Sequence, residues 1–170
     1  MVLIMNKINY SIISDTREQK NLHILKVFEK HNIAYKKEKL DFGDYAIECE
    51  DGFRPKLVIE RKASLDELVG NIFEKCDEGI SCNRIHKEII RCMSTETRMI
   101  ILIEDPNWYP KLLKGEFKSN ANKNSVAGLI LSLIAKYPYY LTIMSIDKQY
   151  TASFIHRILR LELQEQLKFR

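Results

Sequence analysis

Short apolar runs rich in β-branched residues alternate along this chain with longer segments in which apolar residues recur every three or four positions. The short runs predict buried strands, and the longer segments predict amphipathic helices. The predicted strands cover residues 8–14, 34–40, 44–49, 56–62, 99–103 and 139–146. The predicted helices cover residues 20–31, 64 to about 75, 85–93, 122–135 and 150–167. This alternation predicts an α/β fold with a mixed central sheet flanked by helices.

The chain reads as one domain, because it contains no repeat, no low-complexity tract and no linker, and 170 residues suit a single domain. Residues 105–118 contain Pro106, Pro110 and Gly115 and predict a loop with one short helix. We therefore predict a single domain over residues 1–170.

A turn over residues 50–55 separates the third and fourth predicted strands, and it contains Asp51-Gly52, a dipeptide that is a strong signal for a β-hairpin. A turn centred there places Asp44 opposite Glu60 or Arg61. Side chains alternate between the faces of a strand, so Glu60 and Lys62 share one face and Arg61 points to the other. The hairpin therefore ends in two carboxylates and a lysine, a group that can hold a hard divalent cation and polarise a phosphate.

Composition adds only broad limits. The net charge of +4 is mildly basic, which permits nucleic acid as a partner without requiring it. The four cysteines lack the spacing and the nearby histidines of a zinc site. No signal peptide is recognisable, and the longest apolar stretch, residues 126–135, is well short of the ~20 residues that span a bilayer. We expect a soluble, intracellular protein of the cytoplasm, with no membrane partner.

Asp15, Asp44 and Glu60 each lie near the end of a predicted strand, where open α/β sheets form ligand sites. Hydrolysis of a phosphodiester needs a metal that activates water and stabilises the charge that builds on phosphorus. Mg²⁺ suits a few carboxylates with waters, and Lys62 can neutralise the transition state. The alternative is a solvated hairpin with cross-strand ion pairs, worth ~0.2–1 kcal/mol each. The apolar run 57–59, which precedes the charged triplet, weighs against that alternative.

These residues carry a resemblance to a known family. The signature of the XPF-type structure-specific endonucleases is a Gly-Asp pair, a variable gap, Glu-Arg-Lys, three residues and Asp. The chain resembles it at Gly43-Asp44, Glu60-Arg61-Lys62 and Asp66. The family's upstream Asp-x-Arg-Glu element is matched by Asp15-Thr16-Arg17-Glu18. Residues 84–93 and 99–104 resemble its charged helix and the core strand that follows, so the resemblance covers nearly the whole chain.

The resemblance implies a restriction-endonuclease-like nuclease fold, dependence on Mg²⁺ or Mn²⁺, and cutting of branched DNA such as flaps, forks and nicked junctions. It implies that Asp44 and Glu60 are metal ligands, with the backbone carbonyl of Arg61 as a third. Asp15 would lie beside the metal, as a ligand or an outer neighbour. Lys62 would stabilise the attacking water or the phosphate. The residues that would support the catalytic site are Arg17, Glu18, Arg61 and Asp66.

Asp66 has an alternative role, since an acid at the start of a helix suits the helix dipole. Four lysines are candidates for contacts with DNA phosphates, which supply affinity independent of sequence; they are Lys111, Lys114, Lys118 and Lys123. The alternative for them is a solvated lysine-rich loop.

Members of the family usually carry a tandem helix-hairpin-helix domain after the nuclease domain, and this chain ends at Arg170, soon after its last predicted helix. We expect no helix-hairpin-helix domain here. The chain would then be a free-standing nuclease domain or a fragment, and a separate DNA-binding partner could supply the missing grip.

The family's nuclease domains also pair, which implies a homodimer. The last predicted helix has apolar residues on more than one stripe, namely Phe154, Ile155, Ile158, Leu159, Leu161 and Leu163. One stripe could pack on the sheet and another on a partner, with core packing alone as the alternative.

Two other functions stay open. One is a junction resolvase with a different Asp…Glu-x-Lys site, against which the upstream Asp-Thr-Arg-Glu element and Arg61 argue. The other is a catalytically silent DNA-binding or dimerisation subunit of a nuclease complex. Silent copies tend to lose the acids or the lysine, and all of them are present here.

Overall fold

The computed structural model describes residues 8–73 and 84–170. Their strands are β1 (Tyr10–Ser14), β2 (Tyr35–Lys37), β3 (Tyr45–Cys49), β4 (Leu57–Lys62), β5 (Arg98–Ile103) and β6 (Leu141–Ser145). The helices are α1 (Leu22–Lys30), α2 (Leu65–Phe73), α3 (Arg84–Ser94), α4 (Trp108–Lys114), α5 (Lys123–Lys136) and α6 (Thr151–Leu167). Among these described helices, none is long and apolar enough to cross a membrane.

The strands form one mixed sheet, as predicted, in the order β2-β1-β3-β4-β5-β6. β1 is parallel to β2 and antiparallel to β3, β3 is antiparallel to β4, and β4, β5 and β6 are parallel. The antiparallel step from β3 to β4 follows from the short turn at Gly52, whose φ of +83° favours glycine. Tyr45 pairs with Ile59, which is one of the two predicted registers and sets Asp44 opposite Glu60.

Helices cover both faces of the sheet, and each face has its own apolar core. α2, α3, α4 and α5 pack on one face, against Val58, Ile101 and Ile103. α1 and α6 pack on the other face, against Ile59 and Leu102. Because β4 lies between the two cores, all six of its residues are buried. Its last three residues are charged, and buried charges require partners.

Most of the predicted elements are confirmed, with different ends. β2 is shorter than the predicted strand 34–40, because it lies at the edge of the sheet and pairs only with β1 among the described strands. Residues 105–118 contain the predicted short helix, α4, which ends at Gly115 with a φ of +78°. α2 starts as predicted after Ser64, whose Oγ accepts a hydrogen bond from the backbone N–H of Glu67 at 3.3 Å. The predicted end of this helix near residue 75 lies outside the described residues.

Candidate active site

A cavity of about 270 Å³ opens at the carboxyl end of β4, beside the entry to β3 and the start of α2. Six of the predicted site residues line it, namely Arg17, Glu18, Asp44, Glu60, Arg61 and Lys62. The fold therefore brings together side chains that belong to three separate segments of the sequence. Asp15 and Asp66 lie outside this lining.

Glu60 and Lys62 share one face of β4, as the alternation of side chains predicted. Their side chains are almost fully buried, at 4% and 3% exposure, and Lys62 Nζ donates to Glu60 Oε1 at 2.5 Å. Each of these two buried charges on β4 therefore has the other as its partner. It also fixes an ammonium group at the wall of the cavity.

Asp44 follows Gly43 at the entry to β3. Gly43 has a φ of +74°, and a Cβ there would lie 3.0 Å from Val58 Cβ, so the position requires glycine. Asp44 Oδ2 accepts a hydrogen bond from the backbone N–H of Arg61 at 2.8 Å. Burial and the negative charge of Glu60 raise the pKa of Asp44 well above its ordinary value. The charged form of Asp44 is therefore disfavoured unless a cation lies nearby.

Asp15 lies behind this wall, where its backbone N–H donates to the Asp44 carbonyl at 2.8 Å. Its buried carboxylate accepts four hydrogen bonds of 2.6 to 2.9 Å, three from the backbone and side chain of Arg17 and one from the backbone N–H of Leu40. Burial alone would raise the pKa of Asp15, but these hydrogen bonds hold it below its ordinary value. The carboxylate therefore fixes the Arg17 guanidinium at the cavity.

The Arg61 side chain points to the other face of the sheet, as predicted, and is buried there. It donates to Glu104 Oε2 at 2.9 Å and to Glu18 Oε1 at 3.0 Å. His23 Nε2 lies 2.7 Å from the second oxygen of Glu104. This network ties the end of β4 to α1 and β5. Sequence reasoning missed His23 and gave Glu104 no role, although Glu104 ends an apolar strand run.

Asp66 lies on the first turn of α2 and contacts a distant loop. Its Oδ1 accepts a hydrogen bond from the backbone N–H of Lys118 at 2.7 Å. Glu67 and Asn71, on the same helix, line the cavity, whereas Asp66 does not. The structure therefore separates the last acid of the motif from the other predicted site residues.

Comparison with known proteins gives the family and the fold of the chain. A family model described as the ERCC4 domain matches residues 14–158. The chain belongs to the ERCC4 domain family. The fold of this ERCC4 domain is similar to that of XPF from Aeropyrum pernix, with a TM-score of 0.62 and 18% sequence identity over 94% of this chain and 68% of that chain. The XPF-type resemblance and the predicted fold are thereby confirmed. Among curated proteins, no match was found.

Sequence reasoning did not single out Glu88 of α3, which lines the cavity of this ERCC4 domain. Its Oε2 is buried without a hydrogen-bond partner in the described part of the chain, while Oε1 accepts from Arg84 Nε at 3.3 Å. Burial and the charge of Glu60 raise the pKa of Glu88. A signal was available in the pattern of α3, because Glu88 borders the buried stripe that contains Ile85 and Ile89.

The four lysines predicted to contact DNA lie on α4, on the loop after it and at the start of α5, outside the cavity lining. Lys111 Nζ pairs with Asp105 at 2.6 Å, and Lys114 Nζ is 3.8 Å from a glutamate oxygen. Lys118 and Lys123 are exposed and form no ion pair with any residue that the structure describes. Their contacts with DNA stay a prediction.

The cavity wall of the ERCC4 domain offers donors that suit a hard divalent cation. Within residues 8–73 and 84–170, no three Asp, Glu, His or Cys side chains already converge on one point. Mg²⁺ does not need such a cage, because it keeps several waters and takes one or two carboxylates. Asp44 and Glu60 would supply these carboxylates, and the unpaired oxygen of Glu88 is an atom that a cation's waters would satisfy. The residues present therefore fit Mg²⁺ or Mn²⁺.

Proposed function

We propose that this ERCC4 domain is a divalent-metal-dependent endodeoxyribonuclease that cuts branched DNA such as flaps, forks and nicked junctions. The observation that carries the proposal is the shared cavity wall of Asp44, Glu60 and Lys62, two of which are almost fully buried. Burying such charges lowers stability unless they are paired or bind a cation. A strand with a purely structural role would carry apolar residues at these positions.

In this proposal Asp44, Glu60 and the Arg61 carbonyl would hold Mg²⁺ or Mn²⁺, which would act as a Lewis acid and lower the pKa of a bound water. Lys62 is held at the cavity wall by its contact with Glu60. Its ammonium donates to the attacking water or to a phosphate oxygen, where negative charge builds as the phosphodiester is hydrolysed.

The remaining motif residues orient these groups. Arg17, about half of whose side chain is exposed, supplies a second cation for phosphate. Asp15 acts through Arg17 and through the backbone of Asp44, so we assign it to support of the metal site rather than to direct coordination. Glu18 holds the side chain of Arg61, whose backbone N–H fixes Asp44.

A homodimer is part of the proposal and rests on α6. One stripe of this helix, which contains Ile155 and Leu159, is buried in the core. A second stripe, with Phe154, Ile158 and Leu161, lines an apolar groove of about 370 Å³. Exposed apolar surface of this kind suits a protein contact, and a second copy of the chain is the partner that the XPF-type motif implies.

The test is cleavage of a labelled panel of DNA that contains single strand, duplex, 3′ flap, fork and nicked junction, each with Mg²⁺, Mn²⁺ or EDTA. Asp44→Ala is assayed alongside, with its circular dichroism spectrum as the check on folding. Metal-dependent cutting at a branch, lost in the variant, is the expected result and would identify the substrate.

Unchanged cutting by Asp44→Ala would overturn the assignment of the site. Binding of branched DNA without cutting in any lane would instead favour the silent subunit. The branch preference would be wrong if duplex and flap were cut at equal rates.

A further inference from the structure

Two exposed lysines follow α4, Lys118 in the loop before α5 and Lys123 at the first position of α5. One charged side chain holds the backbone of this loop against the rest of the domain. The Asp66 carboxylate accepts the backbone N–H of Lys118 at 2.7 Å. This bond is assisted by the charge of the acceptor, which makes it stronger than a bond between neutral groups. We call residues 115–123 the basic loop.

The basic loop is also closed on itself. Gly115 ends α4 with a φ of +78°, and a Cβ at this position would lie 3.2 Å from Cδ of Lys123. The aliphatic stem of Lys123 therefore packs over the glycine. Phe117 and Ala121 are partly buried against the core. The backbone of the loop is thus held at several points, while the ends of its lysines remain in solvent.

Asp66 binds the peptide group of Lys118 and leaves its ammonium uncovered. An acid whose role was to neutralise a lysine would pair with Nζ, as Asp105 does with Lys111 at 2.6 Å. In the described part of the chain, no acid pairs with Lys118 or Lys123. The arrangement orders the loop and keeps both of these charges available to an anion.

Helix α2 connects the basic loop to the cavity. It starts directly after β4, and its residues Glu67 and Asn71 line the cavity, while Asp66 holds the loop. Neighbouring helical residues are only ~1.5 Å apart along the helix axis. Asp66, which holds the loop, and Glu67, which lines the cavity, therefore lie close together on α2. The position of the lysines relative to the cavity is therefore set by α2.

We propose that Asp66 is a positioning residue that acts on DNA binding, and that Lys118 and Lys123 contact the phosphates that flank the scissile bond. This inference rests on the proposed nuclease function and assigns its last motif acid to the basic loop. Phosphate contacts add affinity that falls with salt, and the loss of one such contact lowers the slope of log K against log salt by about 1.

The test compares Asp66→Ala, Asp66→Asn and Lys118→Ala with the wild-type chain. Binding of a fluorescein-labelled 3′-flap DNA is followed by anisotropy in EDTA from low to moderate salt, so that no DNA is cut. Single-turnover cleavage at saturating DNA is measured in Mg²⁺. Lys26→Ala, an exposed lysine of α1 on the opposite face of the sheet, is the matched control for loss of one positive charge.

Asp66→Ala is expected to raise the DNA dissociation constant about five- to tenfold, while the cleavage rate at saturating DNA changes less than about twofold. Asp66→Asn keeps an oxygen acceptor for the Lys118 N–H and should bind nearly as the wild type does. Lys118→Ala should weaken binding and lower the salt slope, and adding Asp66→Ala to it should weaken binding further, because the anchor also positions Lys123. Lys26→Ala should bind normally.

Normal affinity and salt slope for Asp66→Ala would overturn the inference, while cutting by the wild type would leave the nuclease proposal standing. Equal losses in Asp66→Asn and Asp66→Ala would also overturn it, because they would point to a helix-dipole role. If the wild type neither bound nor cut branched DNA, the nuclease proposal and the inference would fail together.

Should Asp66→Ala not fold, Lys118→Pro, which lacks the donor N–H, is compared with Lys118→Ala, which keeps it. Weaker binding by the proline variant would support the anchor, and equal binding would overturn it.

Discussion

Asp44 belongs to the proposed metal site, and its charged form lowers the stability of the folded chain. Burial and the neighbouring Glu60 raise the pKa of Asp44, so the charged form is disfavoured in the folded chain. The folded pKa then exceeds the unfolded pKa, and stability falls as the pH rises from the unfolded value to the folded one. In this pH range and without metal, the raised pKa of Asp44 lowers the stability of the folded chain, and a bound cation would relieve this effect.

Asp44→Asn should therefore abolish cleavage and yet leave the chain at least as stable as the wild type at pH 7 in EDTA. The loss of stability as the pH rises above about 4 should be smaller in the variant, because the titrating group is absent. Thermal denaturation across pH measures this, with exposed Asp41→Asn as the control. A variant that is less stable than the wild type at every pH would contradict the charge assignment.

Lys62→Met keeps the length of the side chain and removes its ammonium from the buried pair with Glu60. We expect a drop of about 10²–10³-fold in the single-turnover cleavage rate. Stability should fall by roughly 3–5 kcal/mol, because Glu60 is left buried and unpaired. Urea denaturation measures the second effect. Adding Glu60→Gln should restore most of the stability and none of the activity, and a double variant as unstable as the single one would disprove the pairing.

At the scale of elements, the entry to β3 depends on a glycine that two constraints require. Gly43 and Gly52 both have positive φ, but a Cβ at Gly43 would meet Val58, whereas no atom lies within 4 Å of a Cβ at Gly52. A left-handed conformation costs a non-glycine residue ~1–2 kcal/mol. Comparing the same substitution at the two positions therefore separates the cost of backbone strain from the cost of a steric clash.

Gly43→Ala should lower the free energy of unfolding by about 1–3 kcal/mol more than Gly52→Ala does, because overpacking is added to strain. It should also reduce cleavage about 10²-fold, since Asp44 follows directly and small misplacements are costly to catalysis. Gly52→Ala is the matched control and should cut normally. Equal effects of the two substitutions on cleavage would show that Asp44 does not depend on this packing.

The helices, the strands and the hairpin could be predicted from the sequence because they depend on local patterns. The Asp-Gly turn placed Asp44 opposite Glu60 or Arg61, and the structure selects Glu60, while the period of β4 was sufficient to separate Arg61 from Lys62. The partners of Arg61 could not be predicted from the sequence, because Glu104 and Glu18 are each 43 residues away in the chain. The alternation of side chains along a strand predicts the face on which each one lies, but it does not predict which distant group that side chain contacts.

At the scale of the whole molecule, the sequence motif proved to contain two physical groups. Asp44, Glu60 and Lys62 meet at the cavity, while Asp66 binds a loop that the motif does not mention. The position of this loop depends on the packing of α2 with α4, a tertiary contact that no local pattern encodes. Glu88 also lines the cavity because of a tertiary contact, the packing of α3 on the sheet.

The proposed homodimer can be tested at this scale with Leu161→Glu, because Leu161 is 52% exposed and lies in the apolar groove of α6. A charge there should leave the fold intact and convert a dimer into a monomer, measured by light scattering after size exclusion. Leu22→Glu is the control, since Leu22 is 63% exposed on α1. A wild-type chain that is monomeric at high concentration would remove the basis for this partner.

Asp44 is fixed by backbone bonds on both sides, from its N–H to the Ile59 carbonyl at 2.8 Å and from the Asp15 N–H to its carbonyl at 2.8 Å. Neither bond involves the turn near Gly52, which closes the hairpin at the end away from the cavity. The length of that turn is therefore uncoupled from the spacing of the acids. A variable gap in the XPF-type motif is therefore compatible with one fixed spacing of the acids, and a fluorophore tag inserted at this turn should leave the site intact.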